Sequence, residues 1–246
     1  MPLPTLNFSR LARLAPLVLF VSLLATEQAR ADEAAPAKAK PAKAAGTPLL
    51  EEGAEKRWVG YGKQEWPSGW KLSGGVLHRE AGGGDLRTVA QYGDFDLRFE
   101  WKVAPGANSG VIYRVSDDTK RPHETGPEYQ ILDDARHGDG KNPLTAASSL
   151  YGIYAPSKKT AKPPGEWNRS RIVVQGNRVR HFLNGEKVVD AKFGSDDWNR
   201  RVAASKFAEW DGYAKSPRGY IVLQDHGDKV WYRDMRIKEL KDGESE

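Results

Sequence analysis

The sequence of 246 residues contains no cysteine. That absence removes disulfides, thiolate metal sites and a cysteine nucleophile together, so the fold is held by its core alone. Long apolar runs are scarce too. The one near the N-terminus, Leu14 to Ala25, is about a dozen residues, short of the roughly 20 that span a bilayer as a helix. Nucleophile-triad motifs, phosphate loops and dinucleotide fingerprints are absent, and Gly82-Gly83-Gly84 reads as a turn without a following helix. No two histidines stand at a spacing diagnostic of a metal site.

What the N-terminus does contain is Arg10 and Arg13, the short apolar run, and then Ala29-Arg30-Ala31, which is the order of a cleavable export signal. Residues 1–31 are expected to be a signal peptide cut after Ala31, which makes the mature chain secreted or periplasmic, with no membrane insertion once the signal is gone. Three arginines and one glutamate leave with it, so the formal charge of +5 falls to +3. That surplus is too small to indicate a nucleic-acid partner. Residues 32–47, rich in Ala, Pro and Lys, bury too little apolar surface to fold and read as a disordered linker. A single domain is expected over 48–241, followed by a disordered tail at 242–246.

Within the domain, short runs of β-branched and aromatic residues alternate with Gly, Pro, Asn and Asp, which predicts strands rather than helices. Strands are expected at 70–72, 76–79, 94–103, 110–115, 128–132, 168–175, 178–183, 186–191, 220–224 and 230–239. Gln175-Gly176-Asn177 and Leu183-Asn184-Gly185 supply turn residues that make 168–191 a three-stranded meander. One irregular helix is expected at 197–210, inside a long insertion. The fold class is therefore all-β, a two-sheet antiparallel sandwich or jelly roll with one short helix in a loop.

Alternation divides each strand into two faces. Val111, Tyr113 and Val115 form one set, and Asn108, Gly110, Ile112 and Arg114 the other. Tyr129 and Ile131 oppose Glu128, Gln130 and Leu132, while Ile221 and Leu223 oppose Val222, Gln224 and His226. A solvated sheet face ordinarily carries Lys, Thr and Ser. Arg, Glu, Gln and His gathered on one face instead suit a polyhydroxyl ligand, and the 8 tryptophans and 9 tyrosines include rings able to stack on sugars. Plainer readings stand beside these: Arg114 and Glu128 as a cross-strand ion pair, the glutamines closing backbone gaps, His226 in a turn, and Asp133 capping one.

Several motifs, taken in order, resemble the 3-keto-disaccharide hydrolase domain family. They are Phe95-Asp96-Leu97-Arg98-Phe99-Glu100-Trp101, Asn108-Ser109-Gly110-Val111, Gly126-Pro127-Glu128-Tyr129-Gln130-Ile131-Leu132-Asp133, Leu150-Tyr151-Gly152, Gly165-Glu166-Trp167-Asn168, Leu183-Asn184-Gly185 and the run Gly219 to Gly227. The resemblance spans about 59–240. It implies a concanavalin A-like jelly roll whose members cleave glycosides oxidised at carbon 3, and it places Arg114, Glu128, Gln130, Tyr151, Gln224 and His226 at polar motif positions.

A ketone at carbon 3 acidifies the hydrogen on carbon 2, so a base can remove it, the group at carbon 1 can leave, and water can add back. Glu128 and His226 are the expected proton-transfer pair, with base and acid unassigned, and Arg114 is expected at the oxyanion. Gln130, Tyr151, Gln224, Asn108 and Asp133 are expected to bind substrate. Glu128 and Asp133, five apart, fall on opposite faces of a regular strand, which disfavours a direct two-carboxylate glycosidase. No cofactor follows from the residues. A divalent metal, calcium or a transition ion, is left open, with Glu128, Asp133, His137 and His226 as the available ligands. The expected partner is a carbohydrate or glycoside, with a dehydrogenase acting at carbon 3 upstream. The alternatives are a non-catalytic carbohydrate-binding module and an envelope interaction protein.

Overall fold

The structure, a computed structural model, describes residues 46–241 apart from 52 and 118. The export signal, nearly all of the linker and the tail lie outside the described residues. The strands in chain order are β1 (Thr47–Pro48), β2 (Trp58–Gly60), β3 (Trp70–Ser73), β4 (Val76–Arg79), β5 (Leu86–Thr88), β6 (Phe95–Val103), β7 (Asn108–Val115), β8 (Glu128–Leu132), β9 (Asn168–Gln175), β10 (Arg178–Leu183), β11 (Glu186–Lys192), β12 (Tyr220–Leu223) and β13 (Val230–Glu239). They form an eight-stranded sheet, ordered β11-β10-β9-β6-β13-β4-β3 with β1 also on β13, and a five-stranded sheet ordered β2-β5-β12-β7-β8. All pairings between named strands are antiparallel. The architecture is the expected jelly-roll sandwich.

The alternation of β6 shows why the sheets stack. Phe95, Leu97, Phe99, Trp101 and Val103 are buried in the core, while Arg98 and Lys102 between them face outward. Trp58, Trp70 and Trp101 are fully buried, so these rings are core rather than ligand platforms. Apolar burial of this kind contributes roughly 25 cal/mol per Å² and is the main stabilising term in a chain without disulfides. The expected 168–191 meander is present as β9, β10 and β11, with Gly176, Asn184 and Gly185 at positive φ in its turns.

Three expectations change. Val115 does not share the face of Val111 and Tyr113; it packs with Ile112, Tyr220 and Val222. The cause is a bulge at Arg114, whose φ of 53° breaks the period of two and shifts the β7–β12 register. Helix α1 (Asp196–Ala203) is shorter than expected, because Ser205 caps a separate 3₁₀ turn at Lys206–Glu209 by accepting the Phe207 N–H. Thr47, at the end of the expected linker, pairs with Ile237 in the sheet.

Candidate active site

Glu128 begins β8 at the edge of the five-stranded sheet. Its register partner is Ile112, followed across the sheet by Val222, Arg87 and Val59, so these residues share the sheet's outer face. Ile112, Val115, Tyr220 and Val222 make one part of that face apolar. The other part holds Gly110, Glu128 and Gln130. Gly110 is required there: a Cβ on it would overlap the Glu128 Oε1 and stand 2.8 Å from the Glu128 Cδ. The carboxyl therefore lies over a bare stretch of β7, and only 4% of Glu128 is exposed.

That burial pushes the Glu128 carboxyl up to about 8, with the Lys206 cation opposing the shift and Asp85 and Asp139 reinforcing it. Asp85, just before β5, is raised to about 6 by desolvation and by the Asp225 charge, against the Asp225 N–H and His226. The Asp85 charge thus acts on the Glu128 carboxyl, and the two groups fall on either side of neutrality, a separation suited to one proton donor and one proton acceptor.

Loops hold these groups in place. The Asp225 N–H donates to Asp85 Oδ1 at 2.8 Å, and the Asp225 carboxylate accepts the Gly84 N–H at 3.1 Å and stands in an ion pair with Arg79, Nε 2.6 Å from Oδ1. On the other side, the Tyr151 N–H donates to the Glu128 carbonyl at 3.0 Å, and the Tyr151 hydroxyl donates to Asp139 Oδ2 at 3.3 Å. Desolvation, Asp139 and Glu128 hold the Tyr151 hydroxyl up at about 12, so it serves as a donor. The Asp139 N–H donates to His137 Nδ1, and the His137 ring stands 5.9 Å from that of His226. Lys206, delivered by the 3₁₀ turn after α1, lies over the Tyr151 ring at 4.6 Å.

Most of the residues expected at the site converge on this face. Gln130 pairs with Gly110 in register and Gln224 donates its N–H to the Gly110 carbonyl. Asn108 is almost fully buried, and its Oδ1 has no hydrogen-bond partner among the described residues. His226 is half exposed at the rim, with Nδ1 3.9 Å from Asp228. Two expected residues serve elsewhere. The Arg114 bulge turns its guanidinium to Asp94 at 2.8 Å and to the Gly93 and Gly176 carbonyls, so it clasps the ends of the two sheets and is not the oxyanion donor. Asp133 accepts the Gly106 and Ala135 N–H groups and shapes a loop, the plainer reading. With Asp133 spent in this way, the ligand set Glu128, Asp133, His137 and His226 does not assemble. No group of three or more His, Asp or Glu able to hold a metal occurs among the described residues.

Asp85, Asp139 and Lys206 were not expected. Each comes from a loop or turn, where no alternating pattern assigns a face. Among the described residues no helix is long and apolar enough to cross a membrane.

The model of the 3-keto-alpha-glucoside-1,2-lyase-like domain matches residues 47–238. A 3-keto-disaccharide hydrolase of Bacteroides thetaiotaomicron is 34% identical over 215 residues, covering 74% of each chain. A crystal structure from Parabacteroides distasonis, provisionally described as a glycosyl hydrolase, is 34% identical with a TM-score of 0.70, covering 76% of this chain and 89% of its own. A second from that organism, with the same provisional description, is 29% identical with a TM-score of 0.62, covering 80% of this chain and 100% of its own. The match over 47–238 and the relative at 34% identity place this chain in the 3-keto-alpha-glucoside-1,2-lyase-like domain family.

Proposed function

We propose that the chain is an exported glycoside hydrolase that cleaves 3-keto-disaccharides or related 3-keto-glycosides by elimination at carbon 1 and hydration. The relatives' names support the hydrolase and the substrate class. The observation that carries the chemistry is the Glu128 carboxyl buried over Gly110 and thereby raised to about 8, with Asp85, held by the Asp225 N–H and raised to about 6, acting on it from the loop before β5.

Near pH 7, Asp85 is ionised and Glu128 is protonated. The Asp85 carboxylate takes the hydrogen from carbon 2; the C1–O bond breaks as a C1=C2 double bond forms; and Glu128 gives its proton to the leaving oxygen. The products are the aglycone and a 1,2-unsaturated 3-keto sugar. Once the aglycone has left, the proton on Asp85 exchanges with solvent; water then adds at carbon 1, returning one proton to Glu128, while Asp85 delivers a solvent-derived proton to carbon 2, for net hydrolysis. Lys206 takes the place first expected for Arg114, as the cation facing the developing enolate. Tyr151, Gln130, Gln224, Asn108 and His226 orient sugar hydroxyls.

The test is incubation of the purified protein with a panel of 3-keto-glucosides, with and without chelator, followed by mass analysis. Release of aglycone with the unsaturated or hydrated keto sugar supports the reading. Cleavage of the unoxidised glycoside at an equal rate contradicts it. Export predicts that the mature N-terminus begins at Asp32, which N-terminal sequencing of the cell-envelope fraction checks.

A further inference from the structure

The outer face of the eight-stranded sheet carries a second, separate constellation. Across three neighbouring strands, Arg169 of β9, Glu100 of β6 and Arg233 of β13 stand in register. Both arginines close on the one carboxylate, Arg169 at 2.9 Å and Arg233 at 2.7 Å. Glu100, Lys162, Trp167, Arg169, Asn184 and Arg233 line a groove of about 450 Å³ at this place. Beside it, Lys102 sits between two tryptophans, 5.1 Å from the Trp167 ring and 4.9 Å from the Trp231 ring. The Arg233 guanidinium stacks on Trp167 at 4.0 Å. Both tryptophans are partly exposed, unlike the buried Trp58, Trp70 and Trp101.

Lys102, Lys162, Arg169 and Arg233 are thus set against a single carboxylate, a local excess of positive charge built onto rigid strands and framed by rings. The combination selects its ligand. Guanidinium forks take carboxylate or sulfate oxygens, indole faces take the C–H faces of pyranose rings, and Glu100 takes hydroxyl donors. Neither a double-stranded DNA backbone nor a lipid phosphate surface presents pyranose C–H faces to Trp167 and Trp231, and the DNA backbone brings no hydroxyl donors for Glu100. We propose that this face binds an acidic polysaccharide, one bearing carboxylate or sulfate groups, as a holding site on the sheet opposite the one that carries Glu128. The proposal is independent of the reaction: it needs neither the keto group nor Glu128.

Isothermal titration of the full chain with polygalacturonate and with dextran sulfate, against neutral dextran, tests it and separates the two anionic groups. Binding of at least one acidic polymer and not of neutral dextran is expected, weakened at least tenfold by combining Lys102→Ala with Arg169→Ala, severalfold by Trp231→Ala, and not by Glu128→Gln. Arg169 is 63% exposed, so its replacement leaves the fold intact and decides the matter even where Trp231→Ala lowers Tm. Failure to bind either acidic polymer overturns the proposal. So does binding unchanged in the Lys102/Arg169 variant, or equal binding to double-stranded DNA or phosphatidylglycerol vesicles. Loss of 3-keto-glycoside turnover in Glu128→Gln with polymer binding intact keeps the two sites distinct.

Discussion

The carboxyl of Glu128 occupies the space that a side chain on Gly110 would fill, and the two residues lie on adjacent strands of one sheet. A single methyl group at position 110 therefore acts directly on the proposed acid. Gly110→Ala is expected to displace Glu128 and lower kcat on a 3-keto-glycoside at least 50-fold. The overlap costs about 1–3 kcal/mol of stability, so a fold still intact by circular dichroism with activity gone is the outcome to look for. Wild-type turnover in this variant contradicts the placement of Glu128.

Glu128→Gln removes the proton donor while keeping shape. For a sugar aglycone kcat is expected to fall by about 10²–10⁴, whereas a nitrophenyl aglycone, which leaves without protonation, loses less than tenfold. Stability moves the opposite way. Burial raises the Glu128 carboxyl from 4.5 to about 8, so its stabilising contribution is complete below about 4.5 and is lost as pH climbs through 8. The variant escapes that loss, and its Tm should exceed the parent's by at least about 3 °C at pH 8.5, the difference shrinking toward pH 5.

The rate should follow a bell in pH, rising through about 6 as Asp85 ionises and falling through about 8 as Glu128 loses its proton. In Asp85→Asn the acid limb should vanish and kcat should drop at least 100-fold. A profile unchanged in shape in that variant removes Asp85 from the chemistry.

Arg114 gives the contrasting case. Its guanidinium is committed to Asp94 and two carbonyls, so Arg114→Lys should lower Tm by several degrees while leaving kcat within about threefold. Loss of kcat with Tm unchanged returns Arg114 to the site.

The sequence carried the long strands because alternation needs length to show. β6, β9 and β13 span 9, 8 and 10 residues, whereas β2 and β5, three residues each, and β1, two residues, give no period to read. The face lists held for Tyr129, Ile131, Ile221 and Leu223, all in the core, and failed for Val115, where one left-handed residue reversed the parity. Glu128, Gln130 and Tyr151 were legible as polar residues with a shared side or motif. Asp85 and Lys206 were not, because three-dimensional proximity to Glu128 across loops leaves no trace in local spacing. Asp133 was misplaced for the opposite reason: a carboxylate next to a polar strand looks the same in sequence whether it meets a sugar or its own backbone amides.

The proposed reaction begins with proton removal from carbon 2, and a substrate deuterated there tests it most directly. With a carbon-2-deuterated 3-keto-glucoside in ordinary water, aglycone release should show a primary isotope effect and the keto-sugar product should have lost its deuterium to solvent. Aglycone release with no isotope effect and the deuterium retained at carbon 2 would contradict it.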